Sequence, residues 1–205
     1  METFSQKVIN HFFQGFYDKR VEIMYNLEKA HKVSLDLSML LFWFSVIDFY
    51  GGIFFVGSKK KIARTNKEGK ITDLTNEKSF SCFINNFFPR DEKKCGQFIY
   101  KIFRSGIVHQ MSPKSSGIIW DESELRLIWT VTVNDRKEAM LNVYKFQEMA
   151  YQSYIAYKKQ ILDGKLEEEH CKNICDLLIN DDVLGDRENF EKEYKRLKDK
   201  IGKDF

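Results

Sequence analysis

Arg104 and His109 close a stretch, Tyr100 to His109, that ends an apolar helical pattern, and their side chains are the ones in this chain best suited to chemistry. A guanidinium neutralises charge on a phosphate, and an imidazole moves a proton near neutral pH. Together they suffice to cleave RNA without a metal. The ribose 2′-OH attacks the adjacent phosphorus, His109 takes that proton or protonates the leaving 5′-oxygen, and Arg104 stabilises the extra charge of the transition state. The products are a 2′,3′-cyclic phosphate and a 5′-OH end, and DNA, which lacks the attacking hydroxyl, is not cut by this route. Five residues of an ideal α-helix turn about 500° and rise about 7.5 Å, so the two positions stand about 140° apart. Convergence on one phosphate therefore needs the helix to end or kink between them, for which Gly106 is the natural place, or a two-fold dimer that builds a composite cleft.

Two further charges fall inside apolar patterns. Arg20 follows Phe16 by four and precedes Ile23 by three, and Asp48 sits in the most apolar segment of the chain. A charge that faces a core needs a partner or a task. The plainest expectation is that Arg20 and Asp48 pair with each other and fix helix register. The functional alternative has Asp48 orient His109, or Arg20 lend a second cation to the phosphate. Lys59, Lys60 and Lys61 open a basic loop at 58–73 that is either a solvated connection or a surface for phosphates. Tyr151, Tyr154 and Tyr157 beside Lys158 and Lys159 have the composition of a base-stacking surface, although helical spacing makes them packing residues first.

Composition narrows the classes. The chain has 205 residues, 43% hydrophobic and 15% aromatic, enough for a sizeable core. Its net charge of +3 is too mild to indicate nucleic-acid binding by itself. Cys82, Cys95, Cys171 and Cys175 follow no secretory signal, which fits free thiols in a reducing cytoplasm. His170, Cys171 and Cys175 lack a second ligand pair at suitable spacing, so no metal is expected. No P-loop, nucleophile elbow, zincin or dinucleotide-binding pattern occurs, and no cofactor is expected.

The elements that must position these residues are mostly helical. Val8, Phe12, Phe16, Ile23 and Leu27 predict one helix over 4–32. A second helix, capped by Ser34, runs to about Gly57 and is apolar all round. Its apolar stretch at 39–57 approaches a membrane span in length and is followed by Lys59–Lys61, but Asp48 and the paired glycines 51 and 52 favour a central bundle helix. Helices over 76–88, ending at Pro89, and 91–110 follow. The alternation from Leu125 to Val133 predicts a strand, Asn134–Asp135 a turn, and Ile118–Trp120 and Met140–Phe146 its partners in an antiparallel sheet. Helix resumes over 147–162, with Met149, Ala150, Tyr154, Tyr157 and Ile161 on one face, and breaks at Gly164. Two charged amphipathic helices close the chain, the last with Phe190, Tyr194, Leu197 and Ile201 on its stripe.

Arginine, four residues and histidine at the end of an apolar helix resembles the Arg-x4–6-His signature of HEPN domains. The stretch Phe103 to Gln110 followed by Pro113, with Tyr17 to Val21 and Ile47 to Gly52, looks like segments of uncharacterised bacterial members, over residues 10–110. The residue after the arginine is often Asn or another polar side chain in that family, and here it is Ser105. The resemblance implies a HEPN-like antiparallel helical bundle over 1–111; the sheet and C-terminal helices are not part of the family's minimal bundle, and the residue patterns add them as a short antiparallel β insertion over 112–146 and helices over 147–205 packing back, for a mainly α fold. The resemblance also implies a metal-independent endoribonuclease of the toxin or phage-defence type. Arg104 and His109 would be catalytic, with Asp48, Arg20, Ser105 and Gln110 in support and Lys59–Lys61 on the substrate. RNA, a second copy and an antitoxin or defence-system protein would be its partners, in the cytoplasm. The alternative is a non-catalytic module of the same fold that binds nucleic acid, a nucleotide or a protein. A third reading places residues 39–57 in a membrane.

Overall fold

The computed structural model describes residues 2–14, 16–31, 36–58, 76–89, 92–110, 116–176 and 195. Thr3 caps the first helix, α1 (Phe4–Phe12), by accepting from the Gln6 amide at 3.2 Å. A second, α2, covers Phe16–His31. The single helix expected over 4–32 is thus two. Phe13 leaves the helical path and is fully buried, with its ring 4.9 Å from that of Tyr50 and 5.7 Å from that of Tyr154. The break resets the helical phase. Val21 and Tyr25 turn inward, whereas Ile23 and Leu27, expected in the core, are 55% and 45% exposed. Arg20 faces outward with them, so the core-facing charge expected there does not arise.

The third helix, α3 (Asp36–Gly57), is long and apolar enough to cross a membrane by length and composition. Most of that apolar stretch nevertheless packs inside the protein: Leu40, Trp43, Phe44, Ile47, Tyr50 and Ile53 are buried, while Phe42 and Phe49 are half-buried. Against it lies α4 (Asn76–Phe87), which stops two residues before Pro89 as expected. Gly51 permits the close approach, since a Cβ there would stand 2.6 Å from the Ser79 carbonyl oxygen on α4.

The helix expected over 91–110 is a chain of different windings. A 3-10 turn (Lys93–Cys95) leads into α5 (Gly96–Phe98), a π-helical turn (Ile99–Arg104) and α6 (Ser105–Gln110). The apolar spacing accounts for the π turn. Ile99, Phe103 and Ile107 are all fully buried at steps of four, and such a repeat drifts by about 40° per step on an α-helix. The wider π turn cancels the drift and keeps all three against the core.

The sheet holds β1 (Ser116–Ile119), β2 (Ile128–Val133) and β3 (Arg136–Asn142) in the order β1-β3-β2. The hairpin β2–β3 is antiparallel, and Asn134 and Asp135 turn it with φ of 49° and 62°, as their types predict. The all-antiparallel sheet expected from the sequence is corrected by β1, which pairs parallel to β3. Strand β3 also starts earlier than expected, directly after the turn. It ends at Asn142, whose fully buried side chain accepts from the Lys145 amide at 3.4 Å and donates to the carbonyls of Asp121 at 2.7 Å and Glu124 at 3.1 Å. That cap opens α7 at Val143, four residues before the expected start, and α7 runs to Leu162. Its predicted face is right, with Met149, Ala150, Tyr154, Tyr157 and Ile161 all buried, and Gly164 follows at φ +64°. The last described helix, α8 (Glu168–Ile174), packs on α3 and α1. The predicted stripe Phe190, Tyr194, Leu197 and Ile201 lies outside the described residues, as does the basic loop with Lys59, Lys60 and Lys61.

Candidate functional site

Arg104 is the last residue of the π turn and reaches α3. Its Nε and Nη2 donate to one oxygen, Oδ2 of Asp48, at 3.0 and 2.8 Å. Both side chains are largely shielded, 14% and 21% exposed. Tyr100, four residues earlier, lies under the guanidinium with its ring centroid 5.1 Å from Cζ, and the edge of its ring meets Phe80 of α4. Three elements therefore fix the arginine: the carboxylate from α3, the aromatic ring from its own turn, and the helix α4 behind that ring. Burial pushes the Asp48 carboxyl up from its ordinary value, against the downward pull of the hydrogen bonds and charge of Arg104. The other oxygen, Oδ1, is buried and has no hydrogen-bond partner among the described residues.

The expected pairing of Asp48 with Arg20 is corrected, because Asp48 bonds Arg104 instead. Arg20 borders an apolar groove on α2 and α3 with Phe42, Val46 and Phe49. Ser105 is half-buried at the first position of α6. Gly106 does not kink the helix, since α6 is continuous from Ser105 to Gln110 and Gly106 lies buried within it. The irregular winding ends at Arg104, before the interval that was to bend. The backbones of His109 and Gln110 belong to α6, while their side chains lie outside the described residues. Helical phase thus keeps positions 104 and 109 well apart around one chain.

The tyrosines of α7 are not a nucleic-acid surface. Tyr154 and Tyr157 are buried, and Tyr151 stacks on Tyr25 at 3.7 Å between centroids. Tyr154 donates to Asp18 of α2, which also holds Lys158 in an ion pair. This triad fastens α7 to the start of α2.

A second polar pair, which sequence reading missed, joins α7 to α8. The Tyr157 hydroxyl lies 3.1 Å from Nε2 of His170, both groups being buried. Burial lowers the His170 pKa to about 4 and raises that of Tyr157 well above the usual phenol value. Thirteen residues separate the two, a distance bridged by the Gly164 turn between the helices, and nothing in local spacing announces it. Among the described residues no three His, Cys, Asp or Glu side chains converge as metal ligands. Cys171 and Cys175 are buried, the first accepting from the Ser5 hydroxyl at 3.7 Å and the second with its thiol pushed up to about 11 by burial.

No protein-family model matches the chain, and no curated protein or solved structure is significantly similar to it.

Proposed function

We propose that the chain is a metal-independent endoribonuclease of the toxin or phage-defence type, a HEPN-like bundle acting as a homodimer on RNA. The observation that supports this most is the mounting of Arg104. A permanently charged guanidinium is held by Asp48 and Tyr100 at the entrance to the helix that carries His109. Its Nη1 is not used in either bond to Asp48. Held this way, Arg104 offers a pre-oriented donor to a phosphate oxygen, without the ordering cost of a free side chain.

His109 moves the protons: one nitrogen accepts the 2′-OH proton as the oxygen attacks phosphorus, and an imidazolium returns a proton to the 5′-oxygen as the P–O5′ bond breaks. Asp48 acts through Arg104, whose Nε and Nη2 it holds in place. Because the helical phase separates positions 104 and 109, the cleft takes Arg104 from one copy and His109 from the other. An antitoxin or defence-system protein would act by covering that cleft.

A second reading, the non-catalytic module binding nucleic acid, nucleotide or protein, is favoured by the charge balance, since Asp48 cancels the arginine's charge before any phosphate arrives. Purified wild type and His109→Ala, both checked for folding, incubated with total RNA in EDTA, separate the two. Cutting by the wild type alone, leaving cyclic phosphate ends, supports the nuclease. Intact RNA in both leaves the binding module.

A further inference from the structure

Among the described residues β2 is an edge strand of the three-stranded sheet. Its sequence, Ile-Trp-Thr-Val-Thr-Val, holds no charge and no proline, and its register with β3 runs from Ile128 to Val133 without a bulge. Edge strands are ordinarily blunted by lysine, proline or a bulge, and β2 has none of these. The hairpin fixes which backbone groups are open. Val133 and Arg136 close the two-residue turn, and the Leu127 carbonyl accepts from the Asn142 amide at 2.9 Å, so odd-numbered residues bond to β3. The amides and carbonyls of Ile128, Thr130 and Thr132 point away from the sheet, and Thr130, Thr132 and Val133 are exposed.

The two faces of β2 differ. Ile128 lies opposite the fully buried Leu141, towards the core. Trp129, Val131 and Val133 share the other face, where Arg126 covers Trp129 at 5.3 Å and Val133 is 43% exposed.

We propose that β2 is a self-association surface that takes β2 of a second copy of this chain as its antiparallel neighbour. A two-fold axis at Val131 places Trp129 against the partner's Val133 and Val131 against its counterpart, completing an apolar stripe across both sheets. In the same register Thr130 and Thr132 form hydrogen-bonded pairs, which uses the residues whose backbone groups point outward. The flanks are compatible as well. Glu124 and Arg126 precede the strand and Asp135 and Arg136 follow it, and antiparallel pairing sets these two mixed-charge ends side by side. This surface is separate from the Arg104 site and does not rest on the nuclease reading.

The test is the molar mass in solution, measured by light scattering, of wild type, Thr130→Pro and Thr130→Lys. Proline at 130 removes an outward N–H and leaves the bonds to β3 intact, and lysine is the second variant should proline impair folding. The expected result is that either substitution halves the wild-type mass without altering the circular dichroism spectrum. A wild type that is monomeric throughout, or folded variants that keep the wild-type mass, would overturn the proposal. RNA cleavage does not enter this measurement, so its outcome and that of the nuclease test are distinguishable.

Discussion

Acid should unfold this protein partly through one imidazole. His170 is 6% exposed, bonded to Tyr157 and packed on Phe54, and burial brings its pKa from 6.5 down to about 4. The unfolded chain takes up a proton below pH 6.5, whereas the folded chain resists until about pH 4. The neutral ring's contribution is therefore whole above pH 6.5 and is lost as pH falls from there towards 4. At about 1.4 kcal/mol per pH step between 6.5 and 4, less the part regained because the folded ring is itself half protonated at pH 4, the loss by pH 4 comes to about 3 kcal/mol, of order a quarter or more of a typical domain's stability. Urea unfolding at steps between pH 7 and pH 4 would be compared for wild type and His170→Gln, which keeps a polar group for Tyr157 without titrating. The glutamine variant should be weaker at pH 7, and the gap should close by about 3 kcal/mol towards pH 4, the carboxylates common to both cancelling in the difference. A gap that does not change with pH, or an NMR titration of His170 centred near 6.5, would refute the reasoning.

Further outcomes follow from single contacts. Gly51→Ala drives a Cβ to 2.6 Å from the Ser79 carbonyl oxygen, whereas a Cβ at Gly52 meets nothing within 4 Å. Thermal melts should show the first destabilised by about 2 kcal/mol and the second unchanged or raised by up to about 1 kcal/mol. Asn142→Ala removes the cap of α7 and leaves the carbonyls of Asp121 and Glu124 unpaired; a loss of about 2 kcal/mol in denaturant unfolding is expected, and a loss below about 0.5 kcal/mol would contradict the role given to this side chain. Asp48→Asn keeps the shape but removes the charge that steadies Arg104. Its stability should fall by about 1–2 kcal/mol, the pair being partly exposed, while RNA cleavage falls tenfold or more. Equal losses of activity and of folded protein would remove the positioning role.

Much of the fold can be read from local chemistry. The Asn134–Asp135 turn, the buried α3, the stop before Pro89 and the inward face of α7 all follow from residue type and spacing. What could not be read depends on contacts between distant segments. The α1–α2 break exists because Phe13 inserts between Tyr50 and Tyr154, 37 and 141 residues away, and that break moves Arg20 from the inner face to the outer. The π turn was latent in the four-residue spacing of Ile99, Phe103 and Ile107, although the same spacing also passes for an ordinary helix. At the site, Asp48 was recognisable as a charge within an apolar segment and Arg104 as one at the end of another, but their pairing spans 56 residues, and Arg20, itself set in an apolar pattern, lay nearer to Asp48 in the sequence. The same holds for Tyr157 and His170, which meet only because the chain reverses at Gly164.

The most direct test of the central claim mixes two disabled copies. RNA in EDTA would be incubated with wild type, with Arg104→Ala, with His109→Ala, and with the two variants refolded together in equal amounts. In a composite two-fold cleft each variant alone has no intact site, whereas every mixed dimer carries one of its two sites intact and random pairing makes half of the dimers mixed, so the mixture should recover about a quarter of wild-type cleavage. Inactive wild type, activity surviving in either variant, or a mixture as silent as its components would contradict the account.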